Sequence, residues 1–294
     1  MERNQLRKLL NDRIEQLVHC GRNRQKVCPK MEAKRESFSR RNAEVVKVEA
    51  SGKIKSKTVL DRVDRFFYSV HLRYLVIQKE LFYIEEEVEE RVADFENGRL
   101  VDDREILPKN VIVNETVILA ESDRAGAGNP FKYDRLNAVK YAERWWNEYN
   151  PEYVKFENDC TNYISQCLHA GNAPMVGYPK RENGWWMRNG NWSYSWAVAN
   201  ALRWYLPNAK TGVRAREVAS PFELEPGDVI FYDFQGDGRY DHTTIVTAKD
   251  ANGMPLVNAH TFHSRMRYWD YRDSSAYTPN IKYKFFHIMD DFST

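Results

Sequence analysis

The sequence has no long hydrophobic run, no strong excess of one charge and little cysteine. None of its 294 residues falls in an apolar stretch long enough to cross a bilayer, so no membrane span is predicted. The net charge of +2 argues against a dedicated nucleic-acid-binding protein, because such domains carry a marked basic excess. The first ten residues have neither an apolar core nor a small-residue cleavage site. No secretory signal is predicted, and the expected location is the cytoplasm or a spore.

Four cysteines are present, at positions 20, 28, 160 and 167. Without an export signal, reduced thiols are expected rather than a disulfide framework. Cys20 and Cys28 lack the close spacing of a zinc-ligand pair, and no His-Glu-x-x-His motif occurs. A metal site formed by His242, His260 and His263 is the less favoured alternative. We therefore predict neither a metal nor an organic cofactor.

The length predicts two domains, of which residues 1–120 form a small α+β domain. Leucines at helical spacing predict a helix from Asn4 to about Cys20. The segment from Leu81 to Phe95 fits a helix or a strand, because the Asn97-Gly98 pair after it suits either a hairpin turn or a helix stop. Strands are predicted at 45–48, 66–77 and 111–119. No chemistry is assigned to this domain, and a protein partner is the expected ligand.

Small polar residues at 121–130 predict a linker, and residues 131–294 then form the second domain. Its helices come first, from Tyr133 to Tyr149 with Asp134 as N-cap, and again near Cys160. Its strands follow, beginning near residues 229, 242, 256 and 282. This order predicts an α+β domain in which helices pack on an antiparallel sheet.

The run Asn158-Asp159-Cys160-Thr161-Asn162 places a cysteine in the first turn of a predicted helix, which the side chain of Asp159 or Asn158 can cap. Free amides and the helix dipole stabilise a thiolate there, so a lowered pKa is expected for Cys160. The same amides are candidate donors to an oxyanion. The alternative is a buried structural cysteine, which is our interpretation of Cys167 deeper in the helix.

A nucleophilic cysteine needs a base, and His242 opens a predicted strand directly after a polar loop. His260 lies 18 positions further on in the next strand, where a hairpin would bring the two imidazoles close. A third polar group orients the base in such sites. His260 is our candidate for it, and Asn258, which shares its side-chain parity, is the weaker one.

Substrate binding is assigned to Asp159 and Asp241, which precede the nucleophile and the base, and to Trp185 and Trp186. These tryptophans, with Trp192 and Trp196, suit a groove for sugar or peptide, although packing in the core is the more common role of such residues. The loop from Asp233 to Gly238 resembles the opening of a calcium loop, but Thr244 stands where a glutamate belongs, which favours a polar turn.

Several separated motifs resemble the putative amidase domain family of Gram-positive bacteria, over about residues 131 to 290. The motifs are Tyr133-Asp-Arg135, Tyr141 to Asn147, Asp159-Cys-Thr-Asn162, Ser165 to Leu168, Pro226-Gly-Asp228 and Asp241 to Thr247. That family is similar to the NlpC-type and CHAP cell-wall hydrolases, which have a papain-like fold. The N-terminal region more loosely resembles a domain that precedes it in some members.

The resemblance implies that Cys160 is the nucleophile, His242 the base and later the general acid, and His260 the orienting residue. It implies hydrolysis of an amide bond in peptidoglycan or a related peptide. Thr161 and Asn162 stand where the NlpC-type pattern has Ser-Gly, so a different pocket is expected beside the nucleophile. Two alternatives remain, namely a non-catalytic module that binds cell-wall fragments, and an acyltransferase in which an amine replaces water.

Overall fold

The computed structural model describes residues 1–18, 28–107 and 131–290. These fall into two compact units, the first comprising Met1–Leu107 with Phe262–Tyr277, and the second Pro108–Thr261 with Thr278–Thr294. The sequence predicted one continuous domain over 131–294, whereas Phe262–Tyr277 groups with the N-terminal unit. The strand predicted at 111–119 and the linker predicted at 121–130 lie outside the described residues.

The helices and strands are numbered in chain order. They are α1 (Glu2–Val18), α2 (Pro29–Arg40), β1 (Glu44–Leu60), β2 (Val63–Gln78), β3 (Leu81–Glu96), β4 (Arg99–Glu105), α3 (Arg135–Trp145), α4 (Cys160–Ala170), β5 (Met187–Arg188), β6 (Asn191–Trp192), α5 (Tyr194–Ala197), α6 (Ala199–Asn208), β7 (Ala215–Val218), β8 (Val229–Asp233), β9 (His242–Lys249), β10 (Pro255–Ala259), β11 (Ser264–Tyr268) and β12 (Lys282–Ile288). A short 3₁₀ helix spans Pro221–Glu223. No helix in the described ranges is both long and apolar enough to span a bilayer.

The N-terminal unit is built on long antiparallel strands, with β2 between β1 and β3. The ambiguous segment from Leu81 to Phe95 is strand β3, which pairs with β2 along its whole length. Asn97 and Gly98 adopt φ values of 48° and 75°, as a tight hairpin turn to β4 requires. The sequence left a helix and a strand open for this segment, and pairing with β2 makes it a strand.

Charged side chains fill part of the interior of this unit. The Lys34 ammonium lies 2.8 Å from Asp273 Oδ2 and also contacts Glu85, and all three side chains are at most 2% exposed. Arg267 pairs with Asp273 at 3.0 Å, and Arg41 pairs with Glu85 at 2.8 Å. Opposite charges thus offset one another where solvation by water is lost.

The second unit has an antiparallel sheet of order β10-β9-β8-β12-β7. Strand β9 pairs with β8 from Val229↔Ile245 to Tyr232↔His242, and with β10 from Pro255↔Lys249 to Asn258↔Ile245. Apolar residues of α4 join those of the sheet in one core, including Ile164, Leu168 and Ile245. This confirms the predicted α+β class with helices on an antiparallel sheet.

Helix α3 begins as predicted, because the Asp134 side chain accepts a hydrogen bond from the Asn137 amide at 2.9 Å. Helix α4 begins at Cys160 and carries a largely apolar face into the core. The burial of that face fixes how α4 lies on the sheet, and so it fixes where Cys160 lies relative to β9.

Candidate active site

The sulfur of Cys160 lies where α4 begins and next to the start of β9. It is 3.7 Å from the Thr161 hydroxyl oxygen and 4.0 Å from the Asp241 carbonyl oxygen. The backbone amide of Thr243 also lies within hydrogen-bonding reach of the sulfur and lowers the pKa of the thiol. Asp241 and Thr243 are the two chain neighbours of His242. The structure therefore brings Cys160 to the backbone on both sides of the predicted base.

The imidazole of His242 is 2% exposed and belongs to the first residue of β9. Its ring centroid lies 5.6 Å from that of Tyr232 and 6.1 Å from that of Phe234. Tyr232 is also the residue that pairs with His242 across β8 and β9. Pairing and aromatic packing together hold the ring, which suits a base that must keep one orientation.

The pKa of Cys160 is raised, contrary to the sequence prediction. Burial of the thiol is the largest cause, and the Asp159 carboxylate adds to it. Hydrogen bonds from the Thr161 hydroxyl and from backbone amides oppose this effect without cancelling it. The helix terminus was visible in the sequence, but the depth of burial was not. The resting residue is a thiol at neutral pH, so a nucleophilic role requires a base.

Thr261 caps the helix that carries Cys160. Its hydroxyl oxygen accepts hydrogen bonds from the amides of Asp159 at 2.9 Å and Cys160 at 3.1 Å. The predicted cap was the side chain of Asn158 or Asp159, but the side chain of Asp159 makes no capping bond. Thr261 has a φ of 71°, which is unusual for a β-branched residue and stores strain. Nothing in the local sequence indicated this role.

His260 contacts Asp159, Trp145 and Tyr163. Its Nδ1 lies 2.8 Å from Asp159 Oδ2, and its Nε2 lies 2.6 Å from the Trp145 carbonyl oxygen. The ring stacks on Tyr163 with centroids 4.0 Å apart. The weaker candidate, Asn258, donates to Glu143 Oε1 at 2.8 Å and accepts from the Thr247 hydroxyl at 3.0 Å. Both residues therefore tie β10 to other parts of the unit.

Asp159 was predicted to bind substrate, but it is 1% exposed and engaged within the protein. Its Oδ1 accepts hydrogen bonds from the Phe156 amide at 3.1 Å and from Asn162 Nδ2 at 2.8 Å. Its Oδ2 faces His260. Because the residue lies under the start of α4 and not at the surface, the geometry supports a positioning role.

Asp241 is better suited to contact a ligand. Its Oδ2 is buried and has no hydrogen-bond partner among the described residues. Burial, followed by the charges of Asp237 and Asp233, raises the pKa of this carboxyl to about 6. The backbone amide of Phe234 hydrogen-bonds to this carboxyl, and the unpartnered Oδ2 can accept a further hydrogen bond from a substrate amine or amide.

Trp185 and Trp186 belong to the core and do not line an open groove. Their exposed fractions are 0% and 1%. The indole of Trp185 donates to the Ser165 hydroxyl at 2.9 Å, and that of Trp186 donates to the Asn183 carbonyl at 2.9 Å. Each indole nitrogen is therefore satisfied inside the protein and each ring is covered, so this structure gives the predicted substrate contact no support.

The loop from Asp233 to Gly238 is a polar turn, as the sequence favoured. Asp233 accepts hydrogen bonds from the amides of Gly236, Asp237 and Gly238, at 2.7, 3.2 and 2.8 Å. These bonds hold the loop that leads to Asp241 and His242. In the described parts of the chain, no group of three or more His, Cys, Asp or Glu side chains is arranged to hold a metal ion.

Comparison with known proteins places this chain in a family. Residues 132–286 match the family model described as "Putative amidase domain", and the chain belongs to that family. The chain is 51% identical over 268 residues to the Uncharacterized protein YhbB of Bacillus subtilis (strain 168), covering 89% of this chain and 86% of that protein. It is 33% identical to the Uncharacterized protein YjcM of the same organism over 138 residues, which are 44% of this chain and 31% of that protein. No solved structure matches the chain.

Membership of this family suggests amide hydrolysis, and it confirms the amidase resemblance inferred from the sequence. The matched residues contain α4, β9 and β10. The region that carries the family relationship is therefore also the region that brings Cys160 to the backbone around His242.

Proposed function

We propose that this chain hydrolyses an amide bond in a peptide of the bacterial cell wall, with Cys160 as nucleophile and His242 as base. The observation that carries the proposal is the position of the Cys160 sulfur, at the start of α4 and against the residues on both sides of His242. The order of a cysteine at a helix start and a histidine at a strand start is the pattern of NlpC-type and CHAP hydrolases of papain-like fold.

The reaction follows from these two groups. His242 takes the thiol proton, and the sulfur attacks the carbonyl carbon of the substrate. The tetrahedral intermediate collapses to a thioester on Cys160, and the leaving amine receives the proton from His242. Water, deprotonated by His242, then attacks the thioester and releases the acid and the free thiol. The raised pKa of the resting thiol makes the base essential, because little thiolate exists without it.

Asp241 supplies a substrate contact in this proposal. Its unpartnered Oδ2 lies on the residue whose carbonyl oxygen is 4.0 Å from the sulfur. A peptide presenting an amine or an amide N–H near the scissile bond would satisfy that oxygen. Peptidoglycan stem peptides offer both groups, which is why we favour them as substrates.

Purified peptidoglycan fragments, incubated with the protein and analysed by mass spectrometry, test the proposal. We expect one new amine and one new carboxyl group per cleavage, and loss of cleavage in Cys160→Ala. Cys167→Ala is the matched control, because that thiol lies on the same helix and is fully buried in the core. Undiminished cleavage by Cys160→Ala contradicts the proposed nucleophile. Products joined to an added amine instead of water identify an acyltransferase.

The burial of Cys160, at 5% exposure, favours a second candidate, a non-catalytic module that binds cell-wall fragments. This candidate predicts that fragments bind without being cleaved, and that Cys160→Ala binds them as tightly as the natural protein. Binding measured by calorimetry beside the cleavage assay separates the two.

A further inference from the structure

The ring of His260 lies between two hydrogen-bond acceptors. Nδ1 faces a carboxylate oxygen of Asp159 at 2.8 Å, and Nε2 faces the carbonyl oxygen of Trp145 at 2.6 Å. A neutral imidazole carries one N–H and one acceptor nitrogen, so it can satisfy only one of these contacts as a donor. Both contacts are satisfied when both nitrogens carry protons.

His287 provides the contrast within the same unit. Its Nδ1 also faces a carboxylate oxygen, Asp228 Oδ2 at 2.9 Å, but its Nε2 faces Nη2 of Arg135 at 3.5 Å. A guanidinium is a donor only, so this geometry suits a neutral ring that donates from Nδ1 and accepts at Nε2. The two histidines share the carboxylate contact and differ in the partner of the other nitrogen.

Two helix ends favour separated charges at the His260 contact. Trp145 is the last residue of α3, where carbonyl oxygens carry partial negative charge and stabilise a cation. Asp159 directly precedes α4, where amides carry partial positive charge and stabilise an anion. The hydrogen bonds that Phe156 and Asn162 donate to Asp159 Oδ1 also favour the ionised carboxylate.

We propose that His260 is an imidazolium, paired with the Asp159 carboxylate, and that this buried pair positions Cys160 and is not itself a base. The pair joins the end of α3 and the end of β10 to the start of α4. It is neutral as a whole, as burial requires, since His260 is 2% and Asp159 1% exposed. The protonation state does not depend on the proposed function, whereas its consequence for Cys160 rests on it.

The other titratable groups near the ring leave this assignment intact. Tyr163 stacks on the ring, and burial raises its pKa well above the ordinary value, so it is neutral. The Tyr149 ring lies edge-on to the His260 ring, with centroids 5.2 Å apart. The Lys155 ammonium nitrogen lies 3.8 Å from the Tyr149 ring centroid. Glu143 of α3 accepts a hydrogen bond from Asn258 and helps to raise the pKa of Tyr163, the residue that stacks on the ring.

The consequence for Cys160 concerns charge. The Asp159 carboxylate raises the pKa of the adjacent thiol, and a cation paired with that carboxylate offsets the effect. His260→Gln keeps a polar side chain but removes the cation. The pH midpoint of Cys160 alkylation should then move upward by about one unit, so that alkylation at a pH below the midpoint is about tenfold slower.

The first test is nitrogen NMR of the whole protein labelled on histidine, at neutral pH. Two protonated ring nitrogens are expected for His260 and one for His287, with His260→Gln and His287→Gln used for assignment. A single protonated nitrogen on His260 overturns the proposal, and shows either a neutral histidine or a proton held by Asp159.

The second test follows iodoacetamide labelling of Cys160 against pH, resolved by peptide mass spectrometry. The midpoint should rise in His260→Gln and stay unchanged in His287→Gln, which loses a comparable histidine–aspartate contact away from the thiol. An unchanged midpoint in His260→Gln overturns the positioning role. Because neither test uses a substrate, failure of the proposed amidase activity would be seen separately.

Discussion

Replacing Thr261 by valine removes one oxygen atom and should destabilise the second unit. The hydroxyl is the acceptor for the amides of Asp159 and Cys160, at 2.9 and 3.1 Å. Valine has nearly the same shape and retains the β-branch, so it leaves the backbone strain at a φ of 71° in place. The difference between the two proteins is therefore the loss of a two-amide cap.

The magnitude follows from the two amides that lose their acceptor. Loss of a helix cap costs about 0.5 to 2 kcal/mol, and a buried donor left without a partner costs about 1 to 3 kcal/mol. We expect about 2 kcal/mol for Thr261→Val, which is the upper end of the range for a lost cap and the middle of the range for a buried donor. For a unit of this size that corresponds to a fall in Tm of roughly 4 to 8 °C. Thr261→Ser keeps the oxygen and should lose less than about 0.5 kcal/mol.

Tryptophan fluorescence during thermal or urea unfolding measures this effect, since seven of the eight tryptophans belong to the second unit. The Thr261→Ser variant should unfold at a midpoint close to that of the natural protein, and the Thr261→Val variant at a clearly lower one. Equal stability of the valine variant, or an equal loss in both variants, would refute the assignment of Thr261 as the cap of α4.

Three further outcomes are expected. Lys34→Met should destabilise the N-terminal unit by about 3 to 5 kcal/mol in denaturant unfolding followed by circular dichroism, because it leaves Glu85 and Asp273 undercompensated, while Lys47→Met, at an exposed pair, should change little. Burial alone would raise the pKa of Asp273, but Arg267 and Lys34 outweigh it and hold the pKa well below the ordinary value. This contribution to stability is present above about pH 4 and lost as the pH falls below it. In Asp273→Asn, the free energy of unfolding should therefore decrease less steeply as the pH falls below about 4. Asp241, with its pKa raised to about 6, binds a proton more tightly when folded, so stability falls as the pH rises from about 4 to 6. Asp241→Asn should therefore stabilise the protein by about 1 kcal/mol at neutral pH, after discounting for partial exposure, and by little at pH 4.

Local patterns predicted about half of the helices and strands. The spacing of leucines predicted α1, Asp134 predicted the start of α3, and the strands expected near residues 229, 242 and 282 are β8, β9 and β12. These features depend on neighbours within a few positions, which a sequence displays directly. The segment from Leu81 to Phe95 was ambiguous because a helix and a strand both suit its composition, and pairing with β2 decided the matter.

The candidate site was predictable in its residues but not in its contacts. Cys160 and His242 were found from their positions at a helix start and a strand start, and the structure brings the thiol to the backbone around His242. The raised pKa of Cys160 and the new partner of His260 depend on burial and on residues about 100 positions away. Thr261 was missed for the same reason, since its role requires a left-handed backbone that threonine rarely adopts.

The tryptophans show how composition misleads about surfaces. Their density suggested a groove, but Trp185 and Trp196 lie with ring centroids 4.7 Å apart, and both are 0% exposed. Burying large rings removes much apolar surface from water, and each indole N–H found an acceptor in the interior. A sequence alone does not distinguish this arrangement from a binding surface.

The central claim is that Cys160 and His242 act as a nucleophile and its base. Its most direct test is the rate at which iodoacetamide labels each cysteine near neutral pH, in the natural protein and in His242→Ala. We expect Cys160 to be labelled much faster than Cys167 and to lose that advantage when His242 is removed. If Cys160 is labelled as slowly as Cys167, and equally so with or without His242, the two residues do not form an activated pair and the amidase mechanism proposed for this site is wrong.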